Sequence, residues 1–354
     1  MEVNNRVLLG MSGGLDSTMS ALLLKQQGYQ VIGLTLKTWH LHPERYKQEL
    51  EKASSLAREL GIEHSILDIS RSFKKEVVDY FCEEYQTGRT PNPCNRCNPI
   101  IKWPWLIKKA DKLNCSLVAT GHYVQKEKEG GKWYIKKGAD HSKDQSYFLW
   151  NLNQEILERA IFPLGNLTKN EVRKMAVASG LKETADKPES MGVCFLGGTN
   201  YRDFLLQKQE NSELPIRKGE IVDETGTKLG THPGLAFFTV GQKKGLGLTD
   251  KAYFVKQMEP ETHKIIVSKS ATLSTSTLNL YDYHLTPALT PHQKYRVDIR
   301  VRGIDKVPSL PGAITVYKNS LKVDFDDEAW GITPGQSIVF YINDRVIGGG
   351  IVRS

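Results

Sequence analysis

The strongest constraint on the fold is the rhythm of the opening stretch, where short apolar runs alternate with helical patterns. Arg6 to Gly10, Tyr29 to Leu36 and Ile62 to Ile69 read as strands, separated by amphipathic segments at Ser17 to Gln27 and Glu44 to Leu60. Gly28 and Gly61 stand where helix C-caps belong, and a further apolar run, Ser116 to Ala119, leads into Thr120-Gly121-His122. Strands joined by helical crossovers form a parallel sheet covered on both faces, so the chain opens as an α/β, doubly wound domain. Ligands of such sheets bind beyond the carboxyl ends of the strands, which puts a site just after Gly10, Leu36 and Ala119. Helical patterns at Gln154 to Ala160 and Lys169 to Ser179 extend this domain to about residue 208.

Beyond that point short runs are punctuated by glycine and turn residues. Gly219 to Gly230 reads as a hairpin around Asp223-Glu224-Thr225-Gly226. Tyr295 to Val301, Ala313 to Phe325 and Ser337 to Val352 repeat the habit, with breaks at Pro311-Gly312 and Pro334-Gly335. Two small, mostly β domains are therefore expected, 209–271 and 272–354, the last a barrel or sandwich. A length of 354 residues suits two or three domains. Lys plus Arg number 48 against 40 Asp plus Glu, a formal charge of +8, the balance of a protein that meets phosphates. Five cysteines in so long a chain do not read as the disulfide framework of a small secreted domain. With no apolar run near the roughly 18 residues of a membrane span and no leader before the first strand, a cytoplasmic location is expected.

Ser12-Gly13-Gly14-Leu15-Asp16-Ser17 follows the first strand and opens the first helix. Its glycines let successive N–H groups converge on an anion, the helix N-terminus adds partial positive charge, and Ser12 and Ser17 supply hydroxyls. It is neither the G-x-x-x-x-G-K-[ST] loop nor the dinucleotide G-x-G-x-x-G, which argues against β,γ cleavage and against NAD. The pattern resembles the PP-loop of ATP pyrophosphatases, which cleave between the α- and β-phosphates; that resemblance implies ATP and Mg²⁺, with Asp16 helping to hold the ion.

Thr90-Pro91-Asn92-Pro93-Cys94-Asn95-Arg96-Cys97-Asn98 carries a C-x-x-C in what reads as a rigid, proline-bracketed loop. Arg89, Arg96 and Lys102 nearby are expected to favour thiolate, the reactive form. Cys194 lies in the glycine-flanked Met191 to Gly198 segment. Two thiols that can meet allow a persulfide on one and resolution to a disulfide by the other. A structural zinc site is the bland alternative, although no second C-x-x-C or H-x₃₋₅-H is visible. An iron–sulfur cluster on Cys94, Cys97 and Cys194, with one iron open, is the sharper one. Cys82, on a helical pattern, and Cys115, at a strand edge, read as packed thiols.

Taken together these landmarks make the chain resemble the MnmA-type tRNA-specific 2-thiouridylases over essentially its whole length. The matching stretches are Gly10-Met11-Ser12-Gly13-Gly14-Leu15-Asp16-Ser17, Gly88 to Pro93, Cys97-Asn98, Ala119 to Tyr123, Lys143 to Leu149, Gly192 to Gly197, Thr239 to Gln242 and Thr333 to Gln336. The resemblance implies a PP-loop catalytic domain over 1–208 and a β-barrel at the end of the chain. It implies adenylation of C2 of the anticodon wobble uridine and replacement of that oxygen by sulfur. Cys194 would carry persulfide sulfur from a donor protein and Cys97 would be the nucleophile that releases it, closing a Cys97–Cys194 disulfide. Gly121 and the backbone of Leu36 match further nucleotide contacts. Asn92, Pro93 and Cys94 would face the target base. His122, Lys143, Asp144, Gln145 and Gln336 match tRNA contacts, and Arg300, Val301 and Arg302 lie where another is expected.

The family usually has Asn-Pro-Asp where this chain has Asn92-Pro93-Cys94, so a carboxylate that would assist proton transfer is missing, unless Asp144 covers that role or Cys94 takes part as thiol or ligand. An acidic stretch common after the second strand is replaced by Thr38-Trp39-His40-Leu41-His42, and Met191 stands where glutamine is common. Presenting a flipped anticodon base requires phosphate-binding cations around a cleft, for which Lys102, Lys108, Lys109, Lys112 and Gln242-Lys243-Lys244 are candidates. Two other readings stay open: a PP-loop synthetase that admits ammonia or an amine, and a sulfur carrier or RNA-binding module without ATP chemistry.

Overall fold

The computed structural model describes residues 5–186, 192–269, 273–280, 282–303 and 309–353; Met191 lies outside them. The chain divides into two compact units, the first formed by 1–77, 94–198 and 344–346, the second by 78–93, 199–343 and 347–354.

In the first unit, β1 (Arg6–Gly10), β2 (Gln30–Lys37), β3 (Glu63–Asp68), β4 (Leu117–Ala119) and β7 (Ala160–Ile161) pair in the order β3-β2-β1-β4-β7. Every pairing is parallel. Helices α1 (Leu15–Gln26) and α2 (Pro43–Glu59) fill the first two crossovers. Val7 and Leu9 of β1 and Met11 just past it pack with Ala21 and Leu24 of α1 and Ala57 of α2, each nearly removed from solvent. Burial of one such aliphatic side chain contributes about 1.5–3 kcal/mol, so this layer holds the loop after β1 between strand and helix. A hairpin of β5 (Val124–Glu129) and β6 (Lys132–Lys137) follows β4.

The second unit is largely antiparallel. Strands β8 (Gly219–Val222) and β9 (Lys228–His232) form the expected hairpin, joined by β10 (Phe254–Glu259) and β11 (Lys264–Ser268) in the order β10-β11-β8-β9. Asp223 shapes the turn, its Oδ1 accepting the Thr225 and Thr227 amides at 2.9 Å each. Further strands β12 (Ser274–Leu280), β13 (Asp282–Leu285), β14 (Lys294–Arg300), β15 (Leu310–Val316), β16 (Leu321–Trp330), β17 (Ser337–Ile342) and β18 (Arg345–Ile351) follow. They run β12-β16-β15-β14-β17-β18, with β13 added to β18. Ile299, Ile314, Val323, Ile338 and Phe340 form their core.

One expected break is absent: Pro311-Gly312 lies inside β15 rather than at a turn. Gly312 is there because β16 approaches closely, and a Cβ on it would stand 2.4 Å from the Asp324 carbonyl oxygen.

Candidate active site

The loop after β1 is shaped as an anion cradle. Gly13 takes φ +70° and its Cα lies so close to α2 that a Cβ would stand 3.0 Å from the Ala53 Cα. Extended Gly14 then starts α1, whose first N–H groups have no partner within the helix. Ser17 Oγ accepts the Ser12 amide at 3.2 Å and donates to the Gly14 carbonyl at 3.1 Å, which ties the loop to the first helical turn. Below it, the Met11 amide bonds the Leu34 carbonyl at 2.9 Å, and Thr35 Oγ1 donates to the Met11 carbonyl at 2.8 Å. Gly121, just past β4, abuts this turn: a Cβ there would lie 3.0 Å from the Asp16 carbonyl carbon. Gly10 to Ser17 and Gly121 are thus brought together as expected, and the Leu36 carbonyl at the end of β2 accepts the Tyr46 hydroxyl at 3.2 Å.

Two residues at this loop were not singled out from sequence. Lys169, 5 % exposed, donates to Asp16 Oδ1 at 2.7 Å, and the Tyr123 hydroxyl donates to the same oxygen at 2.8 Å. Thr168 and Glu171 form a capping box that marks this helix start in the sequence. Nothing in that local signal reports that Lys169 meets a carboxylate 153 residues away. Asp16 Oδ2 is left for a hard cation, and Mg²⁺ is commonly held by one or two carboxylates together with substrate phosphates, so the residues present fit it.

The C-x-x-C stands on a helix, not on the expected loop. Pro93 opens the turn Pro93–Cys97, Asn98–Lys102 continues it with wider π-type turns, and Trp103–Lys112 completes the run. Proline suits a first helical position because its missing N–H had no partner to lose, and Pro99 falls in the widened stretch. Asn98 Nδ2 pins the helix, donating to the Cys94 carbonyl at 3.1 Å and the Phe148 carbonyl at 3.0 Å.

Cys194 sits on a short 3₁₀ turn, Cys194–Leu196, that ends on Gly197 at φ +58°. Cys94 and Cys97 both act electrostatically on Cys194, and Lys102 acts on all three, so one neighbourhood holds the three sulfurs and this cation. The thiolate expectation fails here. Burial pushes the Cys97 thiol up to about 11 and Cys194 up to about 12, with Cys94 also raised, and Lys102 opposes this without winning. Cys194 as a residue is nevertheless exposed to solvent. The arginines expected to help are engaged elsewhere: Arg96 bonds Glu76 at 3.0 Å, and Arg89, in the second unit, grips Glu84 at 2.7 and 2.9 Å.

A pH consequence follows. A raised thiol pKa means that Cys97 gains thiolate over the whole alkaline range, so alkylation by iodoacetamide should accelerate about tenfold per pH unit between about pH 7 and 10. Peptide mass spectrometry reads this directly, and a plateau below about pH 9 would show that Lys102 overrides burial.

Among the described residues no three His, Cys, Asp or Glu side chains converge closely enough to hold a metal ion.

His122 lies at the end of β4, its Nδ1 2.7 Å from Thr120 Oγ1, and burial with Lys102 nearby holds its imidazole well below the usual range. Asp144 is buried, and its carboxylate accepts Gly138 N at 3.2 Å, Ser146 N at 3.1 Å and Ser146 Oγ at 2.8 Å. That carboxylate braces the loop, and its partly exposed neighbours Lys143 and Gln145 remain at the surface.

In the second unit the Thr90 amide donates to the Pro334 carbonyl at 2.7 Å, which draws the stretch before Asn92 and Pro93 onto the turn that leads to Gln336. Gly335 makes this possible, since a Cβ on it would stand 2.9 Å from Thr90 N. Arg300 folds onto its own turn, Nε donating to the Arg302 carbonyl at 3.1 Å, while Val301 is buried in the core of the C-terminal strands. No helix among the described residues is long and apolar enough to cross a membrane.

Three family models match the chain in succession: a tRNA methyl transferase HUP domain over residues 5–198, a tRNA methyl transferase PRC-barrel domain over 203–269, and an aminomethyltransferase β-barrel domain over 275–352. The tRNA-specific 2-thiouridylase MnmA 3 of Phocaeicola vulgatus is 40% identical over 99% of this chain and 95% of its own length. The tRNA-specific 2-thiouridylase MnmA of Amoebophilus asiaticus is also 40% identical, over the same shares of both chains. Among solved structures, the U34-tRNA thiolase NcsA from Methanococcus maripaludis with its [4Fe-4S] cluster is 19% identical with a TM-score of 0.39, covering 60% of this chain and 67% of that one, and so decides nothing about a cluster here. With full-length relatives at this identity and a HUP-domain match that takes in both the anion cradle and the three gathered cysteines, the chain belongs to the tRNA-specific 2-thiouridylase family.

Proposed function

We propose that the chain is an ATP-dependent tRNA-uridine 2-sulfurtransferase acting on the wobble uridine. The observation that carries the reading is the gathering of Cys94, Cys97, Cys194 and Lys102 in the same compact unit as the anion cradle. The C2 oxygen of uracil is a poor leaving group, so ATP first converts it to an adenylate with release of pyrophosphate. The cradle from Ser12 to Ser17 receives the phosphates, Gly121 lets the chain approach, and Asp16 would hold a Mg²⁺ ion that would offset their charge. The terminal sulfur of a Cys194 persulfide then bonds to C2 as the bond from C2 to the AMP oxygen breaks. Cys97 thiolate attacks Cys194 Sγ, the bond to the transferred sulfur breaks, and thiouridine leaves beside a Cys97–Cys194 disulfide. A two-electron reductant restores both thiols.

A sulfur-donor protein supplies the persulfide, and the anticodon stem-loop of tRNA is the partner. His122, Lys143, Gln145, Lys102 and Gln336 are its proposed contacts, together with Arg300 and Arg302 on either side of the buried Val301. The catalytic domain is taken as 1–208, followed by 209–271 and a barrel over 272–354, in the cytoplasm. Asp144 is left out as a proton donor because its carboxylate is committed to its own loop.

The test combines the purified protein with ATP, Mg²⁺, unmodified tRNA, a cysteine persulfide as the source of sulfane sulfur, and a thiol reductant that reopens the Cys97–Cys194 disulfide between turnovers. Equal amounts of AMP and 2-thiouridine are expected by nucleoside mass analysis. A reaction that yields neither refutes the reading.

A further inference from the structure

The turn that carries Cys194 is gripped by a stretch of chain to which the proposed chemistry gives no task. Between β2 and α2 runs Thr38-Trp39-His40-Leu41-His42, and this segment with the first turn of α2 takes two carbonyls of the Cys194 turn and packs a ring against it. The Leu41 amide donates to the Phe195 carbonyl at 2.9 Å. Arg45 Nη1 donates to the Gly197 carbonyl at 3.2 Å. The His40 ring lies against the same turn, where a Cβ on Gly197 would stand 2.7 Å from its Cε1 and 3.4 Å from its Nε2. Its tautomer follows from its other nitrogen: Nδ1 accepts the His42 amide at 3.1 Å, so the proton stands on Nε2, the nitrogen beside the turn.

The ring is held in place on every side. It stacks on Tyr46 with centroids 4.8 Å apart and planes at 10°. The Tyr46 hydroxyl accepts the Thr38 amide at 3.0 Å, which locks the start of the segment. Trp39 meets Phe195 edge-on at 6.3 Å, and Phe195 is almost wholly buried. Gly197 leaves room for the imidazole, since a Cβ there would lie 2.7 Å from His40 Cε1. Burial, aided by His42 and Arg45 and opposed by Glu49, holds the imidazole below its usual range, which keeps Nδ1 free to accept.

From these contacts we infer that His40 is a positioning residue for Cys194: with the Leu41 amide and the Arg45 guanidinium it fixes the turn and so sets where the Cys194 sulfur stands relative to Cys97. The inference rests on the reading of Cys194 as the sulfur carrier. Two hydrogen bonds to carbonyls at positions 195 and 197, with the imidazole packed against Gly197, leave the turn little freedom to slide, and the reach between two sulfurs tolerates little error.

The test uses the full-length chain with His40→Ala, His40→Gln and Arg45→Ala. Two rates are read: closure of the Cys97–Cys194 disulfide by diamide, followed by peptide mass spectrometry, and single-turnover thiouridine formation. His40→Ala is expected to slow both by about tenfold or more, with KM for ATP and for tRNA within about twofold of wild type. His40→Gln, whose amide donates from nearly the position of Nε2, is expected to recover most of both rates. Arg45→Ala, a surface change, is expected to slow closure severalfold, which keeps the test decisive if His40→Ala folds poorly. Unchanged closure in both alanine variants overturns the inference, as does a His40→Gln rate no better than that of His40→Ala. Diamide closure needs neither ATP nor transferred sulfur, so its outcome is separate from failure of the carrier reading, which would show as continued thiolation by Cys194→Ser.

Discussion

Cys194→Ser is expected to abolish thiouridine formation, a loss of at least about a thousandfold or about 4 kcal/mol of barrier, while tRNA-dependent pyrophosphate release continues. A serine hydroxyl cannot accept sulfane sulfur or form a disulfide, so the transfer step loses its carrier. Adenylation belongs to the cradle after β1 and needs no sulfur, so it should survive within a few fold. The split is what distinguishes the reading from its nearest rival. A PP-loop synthetase that admits ammonia would keep its whole activity in Cys194→Ser, because no thiol takes part. Mass analysis of nucleosides beside a pyrophosphate assay reads both halves in one reaction, and thiouridine produced at a rate near that of wild type would refute the carrier role. Cys97→Ser should fail at a later point, leaving the tRNA uridine joined through its new sulfur to Cys194 Sγ, because no thiolate attacks that sulfur to release it.

The parallel sheet was legible because its code is local. Arg6 to Gly10 is an apolar run, α1 begins at a glycine-rich turn, and Gly28 and Gly61 close helices at φ +84° and +60°. The anion cradle was legible for the same reason, since strand, glycines and helix are contiguous. The long-range part was not. Lys169 reaches Asp16, and His40 reaches the Cys194 turn, through contacts that no periodicity encodes. The thiolate expectation failed in an instructive way: Arg96 near Cys94 and Cys97 in sequence suggests a positive neighbourhood, yet folding aims its guanidinium at Glu76 and leaves burial to set the thiols. Proline misled twice. Pro93 and Pro99 bracket a helix start and a widened turn rather than a loop, and Pro311-Gly312 sits within β15 because β16 needs close approach. The substitution of Cys94 for the usual carboxylate is also clearer in the structure than in the sequence. Cys94 lies near enough to Cys97 and Cys194 to add to the rise that burial gives both thiols.

Lys169→Met is expected to raise KM for ATP by at least about tenfold and to slow AMP formation with it. Lys169 is 5 % exposed and its ammonium touches Asp16 Oδ1 at 2.7 Å, at the mouth of a loop built to receive phosphates. Removing it leaves a carboxylate held by the Tyr123 hydroxyl where polyphosphate must enter. Two like charges about 4–8 Å apart at an effective dielectric near 20 repel by about 2–4 kcal/mol, and salt and Mg²⁺ reduce that figure without cancelling it. The fold should lose less: the Asp16 side chain is 36 % exposed, so breaking the pair is expected to cost about 1–2 kcal/mol, below the value for a fully buried pair. Lys169→Arg keeps the charge, and although a planar fork fits a buried pocket less well, most of the affinity for ATP should return. Titration of ATP against pyrophosphate release in the three proteins, beside their Tm values, separates charge from packing. A Lys169→Met enzyme with a lowered Tm and an unchanged KM for ATP would mean that this lysine props the helix Lys169–Ala178 against α1 and has no part in receiving the nucleotide.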